Sequence, residues 1–434
     1  MYIPLSTAWS SITKNPLLLK TARLSVITVF ANMLAFLVPI YIANIFGISK
    51  ETDNFFFSYG LITFGSIIFS NAVSSTLVPF LKEKMGDKAA FDTFLSSVFF
   101  FSSKFLLIAA AVFLAITVSL YLVLDNNIYL YTAISIPIFI LTIFNSLCYG
   151  ILYSLNKFDM AATSPISRTI IIFISIFLFN KYLSIYSVIL GYNLGELAKL
   201  VHLVYIIKIK NKIALTFQNR DLSIIKVFVR EGSYQALSTS ISSAAPIIGK
   251  VIATFLTVGA VSILDYGDKP FMIFNVLLNS FLVILLSQWS SDALNNNFKL
   301  GTLHKVLIGI MLLSGVLLIL TYYFQANLID IIYPTLSATD RKTIGDIFVI
   351  SMVGFIFNSA NQVINRAAIA FKETNIMVQA AVIKSILTVI FDLLFVLKYG
   401  VIGIAIATTI VHLIGLILNY FLFVRKVKYK ITLP

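Results

Sequence analysis

Long apolar runs recur from one end of this chain to the other, and they constrain its fold more than any other feature. Of the 434 residues, 59% are hydrophobic and 12% are charged, whereas soluble domains carry about 25% charged residues. Several runs exceed the roughly 18 residues that predict a bilayer-spanning helix. We therefore predict an all-α polytopic membrane protein, because β-barrel strands would alternate polar and apolar residues instead.

We predict twelve transmembrane helices with short connections. The predicted spans are 24–46, 54–81, 94–123, 128–152, 163–180, 185–207, 233–257, 268–290, 303–324, 345–370, 374–397 and 401–424. The domains that follow are an N-terminal interfacial segment (1–23), an N-lobe (24–207), a cytoplasmic linker (208–232), a C-lobe (233–424) and a cytoplasmic tail (425–434).

The net charge of +14 is explained by membrane topology. Most of the 32 Lys and Arg residues fall in segments on one side of the twelve spans, which by the positive-inside rule places both termini in the cytoplasm. They gather on no single face, so a nucleic-acid partner is excluded. The first apolar run is too long for a cleaved signal peptide. We expect a multi-pass protein of the bacterial cytoplasmic (inner) membrane.

The two halves of the chain share a pattern of short motifs. Gly47 and Asp53 in GISKETD have the same spacing as Gly259 and Asp265 in GAVSILD, and a Lys-Tyr pair precedes the last span of each half. The alternative is chance similarity between apolar segments. The common order favours two six-helix lobes that are parallel repeats around a central cavity.

Several stretches resemble a known group of transporters. VIATFLTVGAVSILDYGDKPF, IANIFGISKETDNFFFSYG and NRAAIAFKETN are similar to segments of the lipid II flippases (MurJ-type). The wider group is the multidrug/oligosaccharidyl-lipid/polysaccharide (MOP) exporter superfamily, which includes polysaccharide flippases (Wzx-type). Two departures stand out. The resembled flippases usually carry fourteen spans, and they carry cavity arginines where this chain has Val38 and Gly60; a third arginine aligns with Lys269.

The resemblance implies a flippase, and the missing arginines shape the expected substrate. We expect an undecaprenyl-pyrophosphate-linked oligosaccharide, such as an O-antigen or capsule-type repeat unit, to be moved to the outer leaflet by alternating access. Lipid II is one alternative substrate, and cation-coupled multidrug export is another function of the superfamily. No connection is long enough for a catalytic domain, so the protein is not expected to be an enzyme.

Charged residues inside spans are costly and mark candidate sites. A diphosphate crossing the membrane needs cations, and the candidate substrate-binding residues are Lys104, Lys250, Lys269, Lys384 and Arg168. The candidate gate or ion-coupling acids are Asp53, Asp265, Asp268, Asp392 and Glu196. We expect the gate acids to meet Lys269 or Lys50. For each cation the alternative is snorkelling or a local ion pair, and for Glu196 it is a structural pair with Lys199.

We expect neither a metal nor a bound cofactor. The three histidines lack metal-ligand spacing, and no phosphate-binding loop motif is present. We therefore expect transport to be driven by the membrane potential or by an H⁺ or Na⁺ gradient. The expected partners are the lipid-linked glycan, membrane lipids and the polysaccharide polymerase machinery.

Overall fold

The structure, a computed structural model, describes residues 16–213, 222–294, 297–371, 373 and 375–432. Most of the predicted interfacial segment and part of the predicted linker therefore lie outside the described residues. Within the described ranges the chain forms twelve helices of 20 residues or more. This confirms the predicted all-α fold class.

The helices follow the predicted spans in order. They are α1 (Pro16–Phe46), α2 (Lys50–Lys84), α3 (Lys88–Leu124), α4 (Asn127–Ser154), α5 (Ser164–Leu183), α6 (Tyr186–Tyr205), α7 (Leu222–Ala253), α8 (Ala260–Leu294), α9 (Leu300–Ile332), α10 (Ala338–Ala370), α11 (Asn375–Tyr399) and α12 (Val401–Thr432). A short helix, Phe158–Ala162, precedes α5. By length and hydropathy, eight helices in the described part of the chain qualify as membrane spans.

Two helices that flank the α7–α8 turn begin earlier than predicted. The seventh span was predicted to begin at residue 233 and the eighth at residue 268, but α7 begins at Leu222 and α8 begins at Ala260. Hydropathy underestimates α8 because its first turns carry Asp265, Asp268 and Lys269. These charges are therefore held on a rigid helical surface and not on a loop.

Left-handed residues end helices at equivalent points of the two halves. Gly47 (φ +64°) follows α1 and Gly259 (φ +96°) precedes α8. Ser184 (φ +47°) follows α5 and Gly400 (φ +56°) follows α11. Glycine adopts this conformation without steric cost. The predicted repeat motifs thus mark equivalent turns.

The chain divides into two compact units. The first comprises 1–38, 65–124 and 133–236, and the second comprises 39–64, 125–132 and 237–434. The division differs from the predicted N-lobe and C-lobe in two respects. The first unit extends to residue 236 and so contains the start of α7. The second unit also contains the end of α1, the first half of α2 and the start of α4.

The first unit is held by an apolar core and by close packing of α5 on α6. Its core includes Leu77, Phe94 and Leu147, all fully buried. On α6, a Cβ atom at Gly195 would lie 2.9 Å from the Arg168 carbonyl oxygen of α5. Small residues spaced by four permit this approach in membrane helices, and Gly195 repeats the spacing from Gly191.

The second unit has an aromatic core near the end of α8. Trp289 packs edge-on against Phe298, and Phe298 packs edge-on against Phe371, with ring centroids 5.7 and 4.9 Å apart. Polar side chains join its helices elsewhere. Ser314 of α9 lies 3.2 Å from Ser359 of α10, the kind of interhelical hydrogen bond used within membranes.

We predict that Gly259→Ala destabilises the protein. Residue 259 has a positive φ, and a Cβ atom there would collide with Ile48. The strain costs about 1–3 kcal/mol, measurable as a lower unfolding temperature in detergent. The control is Gly309→Ala on α9, where nothing lies within 4 Å and helix propensity favours alanine. Equal unfolding temperatures for the two variants would contradict the account.

Candidate functional site

The carboxylate of Asp53 caps the first turn of α8. Its Oδ2 accepts the backbone N–H of Gly259 at 2.5 Å, and its Oδ1 accepts the N–H and the hydroxyl of Ser262 at 2.8 and 2.6 Å. The first N–H groups of a helix have no partner within the helix, and the helix dipole favours a negative charge there. A residue at the start of α2 thus completes the N-terminus of α8. The predicted lysine partner of Asp53 is not found among the described residues.

Neighbouring polar groups fix the same junction. The Ser262 hydroxyl oxygen also lies 2.9 Å from the Thr52 hydroxyl oxygen, and the Tyr266 hydroxyl donates to the Gly47 carbonyl at 3.2 Å. The Tyr333 hydroxyl donates to the Tyr266 carbonyl at 3.1 Å. These bonds tie the α1–α2 turn and the end of α9 to α8, and they hold its charged face in one orientation.

One turn further along α8, a single carboxylate contacts two ammonium groups. Lys250 Nζ, from α7, lies 2.7 Å from Asp265 Oδ1, and Lys269 Nζ lies 3.0 Å from Asp265 Oδ2. The Asp265 side chain is 6% exposed, and the lysines are 16% and 22% exposed. The cluster therefore carries a net positive charge and remains partly accessible. Asp265 thus pairs with Lys269 of its own helix and with Lys250 of α7, and the predicted gate role of Asp265 stays a prediction.

The ammonium of Lys250 occupies the space beside Gly60 of α2. A Cβ atom at Gly60 would lie 3.2 Å from Lys250 Cδ and 3.5 Å from Lys250 Nζ. Lys250 Nζ also lies 3.5 Å from the Phe56 carbonyl oxygen. Gly60 is the position where the resembled flippases carry an arginine. The cation absent from α2 is thus matched in space by a lysine from α7.

Asp268 lies beside this cluster without joining its ion pairs. It is exposed, and its Oδ1 accepts the Ser351 hydroxyl of α10 at 3.0 Å. Asp265 and Asp268 therefore have different roles in the structure, although they are three residues apart.

Asp392 on α11 is fully buried. It is 0% exposed, and neither of its oxygens has a hydrogen-bond partner among the described residues. It lies close to Gly249 of α7, since a Cβ atom there would lie 3.8 Å from Asp392 Oδ2. Lys384 forms no ion pair with it in the described ranges. The Lys384 stem instead packs so closely on Gly415 of α12 that a Cβ atom there would collide with it.

The remaining candidates lie in the first unit. Glu196 is 2.5 Å from Arg168 Nε, 3.8 Å from Lys199 Nζ and 2.7 Å from the Asn145 amide nitrogen. Arg168 also lies over the Tyr192 ring, 5.2 Å from its centroid. Glu196 itself is 6% exposed, and its cluster of one carboxylate and two cations carries a net positive charge, as the Asp265 cluster does. Lys104 is exposed on α3, away from this cluster, and belongs to no ion pair in the described part of the chain.

Sequence reasoning missed the groups that complete the site. The backbone N–H groups of residues 259 and 262 bind the Asp53 carboxylate. Every residue except proline has such a group, so the sequence does not single these two out. Ser262 and Ser351 are hydroxyls among many, and Gly60 was considered only as the loss of an arginine. The one usable signal was the repeated glycine-to-aspartate spacing, since it marks the start of a helix.

The twelve-helix fold and the family match given next place the chain among membrane flippases of the MOP superfamily. The sequence pattern described as "Lipid II flippase MurJ" matches residues 42–433. The chain belongs to the lipid II flippase MurJ family.

Individual relatives agree with this assignment. The chain is 28% identical to the lipid II flippase MurJ of Thermosipho africanus, with 94% of this chain and 86% of that protein covered. It is 26% identical to the probable lipid II flippase MurJ of Buchnera aphidicola subsp. Acyrthosiphon pisum, with 93% and 83% covered.

Solved structures show the same fold. A lipid II flippase MurJ in an inward closed conformation aligns with a TM-score of 0.77 at 26% identity, covering 92% of this chain and 86% of that chain. An inward-facing MATE-family multidrug resistance transporter aligns with a TM-score of 0.80 at 12% identity, covering 94% and 98%. The second likeness concerns the fold alone.

We predict that Asp53→Ala lowers stability more than Asp53→Asn. Alanine leaves the N–H groups of Gly259 and Ser262 without their acceptor, at a cost of about 1–2 kcal/mol, whereas asparagine keeps one acceptor oxygen. Unfolding temperatures in detergent should rank wild type, Asp53→Asn, Asp53→Ala from high to low. The account is contradicted if Asp53→Ala unfolds at the wild-type temperature.

Proposed function

We propose that this protein moves lipid II from the cytoplasmic to the outer leaflet of the inner membrane by alternating access. Support comes from the family match over residues 42–433 and from relatives that share more than nine-tenths of this chain. The broader prediction of a flippase for a lipid-linked precursor stands. Its finer choice, an O-antigen or capsule-type unit, is not supported, and the lipid II alternative fits better.

The cation cluster supports this proposal chemically. A diphosphate that leaves water must have its charge offset inside the protein, since isolated charges in hydrocarbon are strongly disfavoured. Lys250 and Lys269 lie side by side on α7 and α8, both partly accessible. We assign them as contacts for the diphosphate. Lys104, Lys384 and Arg168 remain further proposals for the substrate path.

The departure at Gly60 no longer argues against lipid II. The doubt rested on two missing arginines, at Val38 and Gly60, and at the second of these the Lys250 ammonium lies 3.5 Å from the place of an added Cβ atom. A positive charge can serve the same anion from either helix, because electrostatic attraction depends on distance and not on sequence position.

We predict rescue of a bacterial strain depleted of its lipid II flippase. Expression of this chain should restore growth and outer-leaflet lipid II, measured by cleavage with a membrane-impermeant diphosphate hydrolase. The same chain should not restore surface glycan in a strain that lacks its polysaccharide flippase.

Matched expression of the two strains makes the test decisive. Membrane levels of the protein are measured in both, so that poor insertion is not mistaken for lack of activity. Rescue of only the strain that lacks its polysaccharide flippase would contradict the proposal of lipid II and would support an O-antigen or capsule-type substrate.

We further propose that Asp392 couples transport to an H⁺ or Na⁺ gradient. Asp392 is buried and has no hydrogen-bond partner among the residues that the structure describes. A carboxylate in such a place is unfavourable when charged, so we expect its charge to be cancelled by a proton or a cation. Its place between α7 and α12, beside Gly249 and near Ile404, allows that event to alter helix packing. Asp53, Asp265 and Asp268 are proposed as gate residues, and Glu196 as a structural acid.

We predict that Asp392→Asn transports lipid II without stimulation by an imposed ion gradient. Proteoliposome flipping rates would be compared with and without an H⁺ or a Na⁺ gradient. The control is Asp330→Asn, which removes an exposed partner of Arg341 and should keep the stimulation. Wild-type stimulation in Asp392→Asn would remove this residue as the coupling group.

A further inference from the structure

We propose that Asp265 is a built-in counter-anion, which holds Lys250 and Lys269 in the substrate-free protein and is displaced from them by the diphosphate of the substrate. This inference rests on the proposed function, because it takes a lipid-linked diphosphate as the ligand. The proposed function uses only the two lysines of this cluster to bind the diphosphate. The inference gives the acidic residue between them a role as well.

The first step is the geometry of the shared carboxylate. Its two oxygens contact different ammonium groups, at 2.7 and 3.0 Å. A diphosphate presents the same chemistry, because neighbouring anionic oxygens can accept from two separate donors. An ammonium has three N–H donors, and Asp265 provides one oxygen to each lysine. Donors therefore remain for an incoming anion before the carboxylate leaves.

The second step concerns desolvation. Two lysines that face each other without an anion repel, and partial burial makes their charges costly. Asp265 lowers this cost in the substrate-free state. The lysines are thus already withdrawn from water when the ligand arrives, and one anion replaces another without a new desolvation of the cations.

The third step is access. Lys269 keeps 22% of its side chain exposed and Lys250 keeps 16%, whereas Asp265 keeps only 6%. The cations are therefore reached from outside more readily than the carboxylate between them. A ligand can contact the ammonium groups first, and Asp265 is then forced away by like charge.

Gly60 provides the space in which Lys250 reaches this position. The Lys250 stem and ammonium lie 3.2 and 3.5 Å from the place of an added Cβ atom. The ammonium is therefore seated against α2 while its carboxylate partner lies on α8. Exchange of the anion would alter an ion pair that connects α7 and α8, close to the Asp53 cap.

The test measures binding of undecaprenyl diphosphate to the full-length protein in nanodiscs by calorimetry. Asp265→Asn keeps the size of the side chain and removes the competing charge. We expect it to bind the probe about tenfold more tightly than wild type, and to flip lipid II more slowly because the ligand is released less easily.

Asp268→Asn is the matched control. It removes the same charge three residues away on the same helix, from a carboxylate that bonds Ser351 and neither lysine. Its affinity should change much less than that of Asp265→Asn. Equal gains in the two variants would reduce the effect to general electrostatics and overturn the proposal.

If Asp265→Asn is poorly folded, Asp265→Ser removes the same charge and should also bind the probe more tightly than wild type. Asp265→Glu retains the charge and should bind the probe close to the wild-type affinity. Adding Lys250→Met to Asp265→Asn should abolish the gain, because the released ammonium is then absent. Unchanged or weaker binding by well-folded Asp265→Asn would show that Asp265 only positions the lysines, and would overturn the proposal.

The experiment separates this inference from the proposed function. If lipid II is not the cargo, wild type fails to rescue the depleted strain while Asp265→Asn still tightens binding of undecaprenyl diphosphate. If Asp265 is not the counter-anion, wild type rescues the strain but the affinity gain is missing.

Discussion

The carboxylate of Asp265 neutralises part of a buried double positive charge where α7 meets α8. Two lysines within 3.0 Å of one aspartate form a cluster whose stability depends on exact placement, since a buried charge that loses its partner is strongly destabilising. That placement is provided by the left-handed turn at Gly259 and by the Asp53 cap on α8. The local fold and the proposed chemistry thus share the same few residues.

The two repeats use equivalent aspartates for different purposes. Asp53 and Asp265 follow a left-handed glycine at the same spacing, yet Asp53 accepts backbone N–H groups of another helix and Asp265 pairs with side-chain ammonium groups. A repeated motif therefore specified a position at the start of a helix and not a partner. One copy stabilises the junction, and the other lies among the proposed ligand-binding cations.

The sequence predicted the helices well because long apolar runs leave few alternatives. All twelve predicted spans overlap the helices described, but α7 and α8 begin earlier than predicted, because charged residues lie within their first turns. Partners were harder to predict. Lys250 reaches Asp265 across the turn that joins α7 to α8, and Arg168 pairs with Glu196, whereas Lys199 was the expected partner at i+3. Such contacts depend on helix packing, which no single segment of sequence encodes.

The preference for an O-antigen or capsule-type substrate is not supported, and the lipid II alternative fits the family match better. That preference rested on arginines missing at Val38 and Gly60 when residues were compared position by position. In three dimensions the Lys250 ammonium fills the neighbourhood of Gly60 from another helix. A bound anion needs a positive charge at a certain place in the folded protein. Residues from different helices can provide that charge, although a position-by-position comparison of sequences treats them as unrelated.

The most direct test of the central claim is a structure of the protein in nanodiscs with lipid II bound. The account predicts that the diphosphate lies within hydrogen-bond distance of both Lys250 Nζ and Lys269 Nζ, with Asp265 turned away from them. A diphosphate bound elsewhere, with Asp265 still between the two lysines, would contradict it.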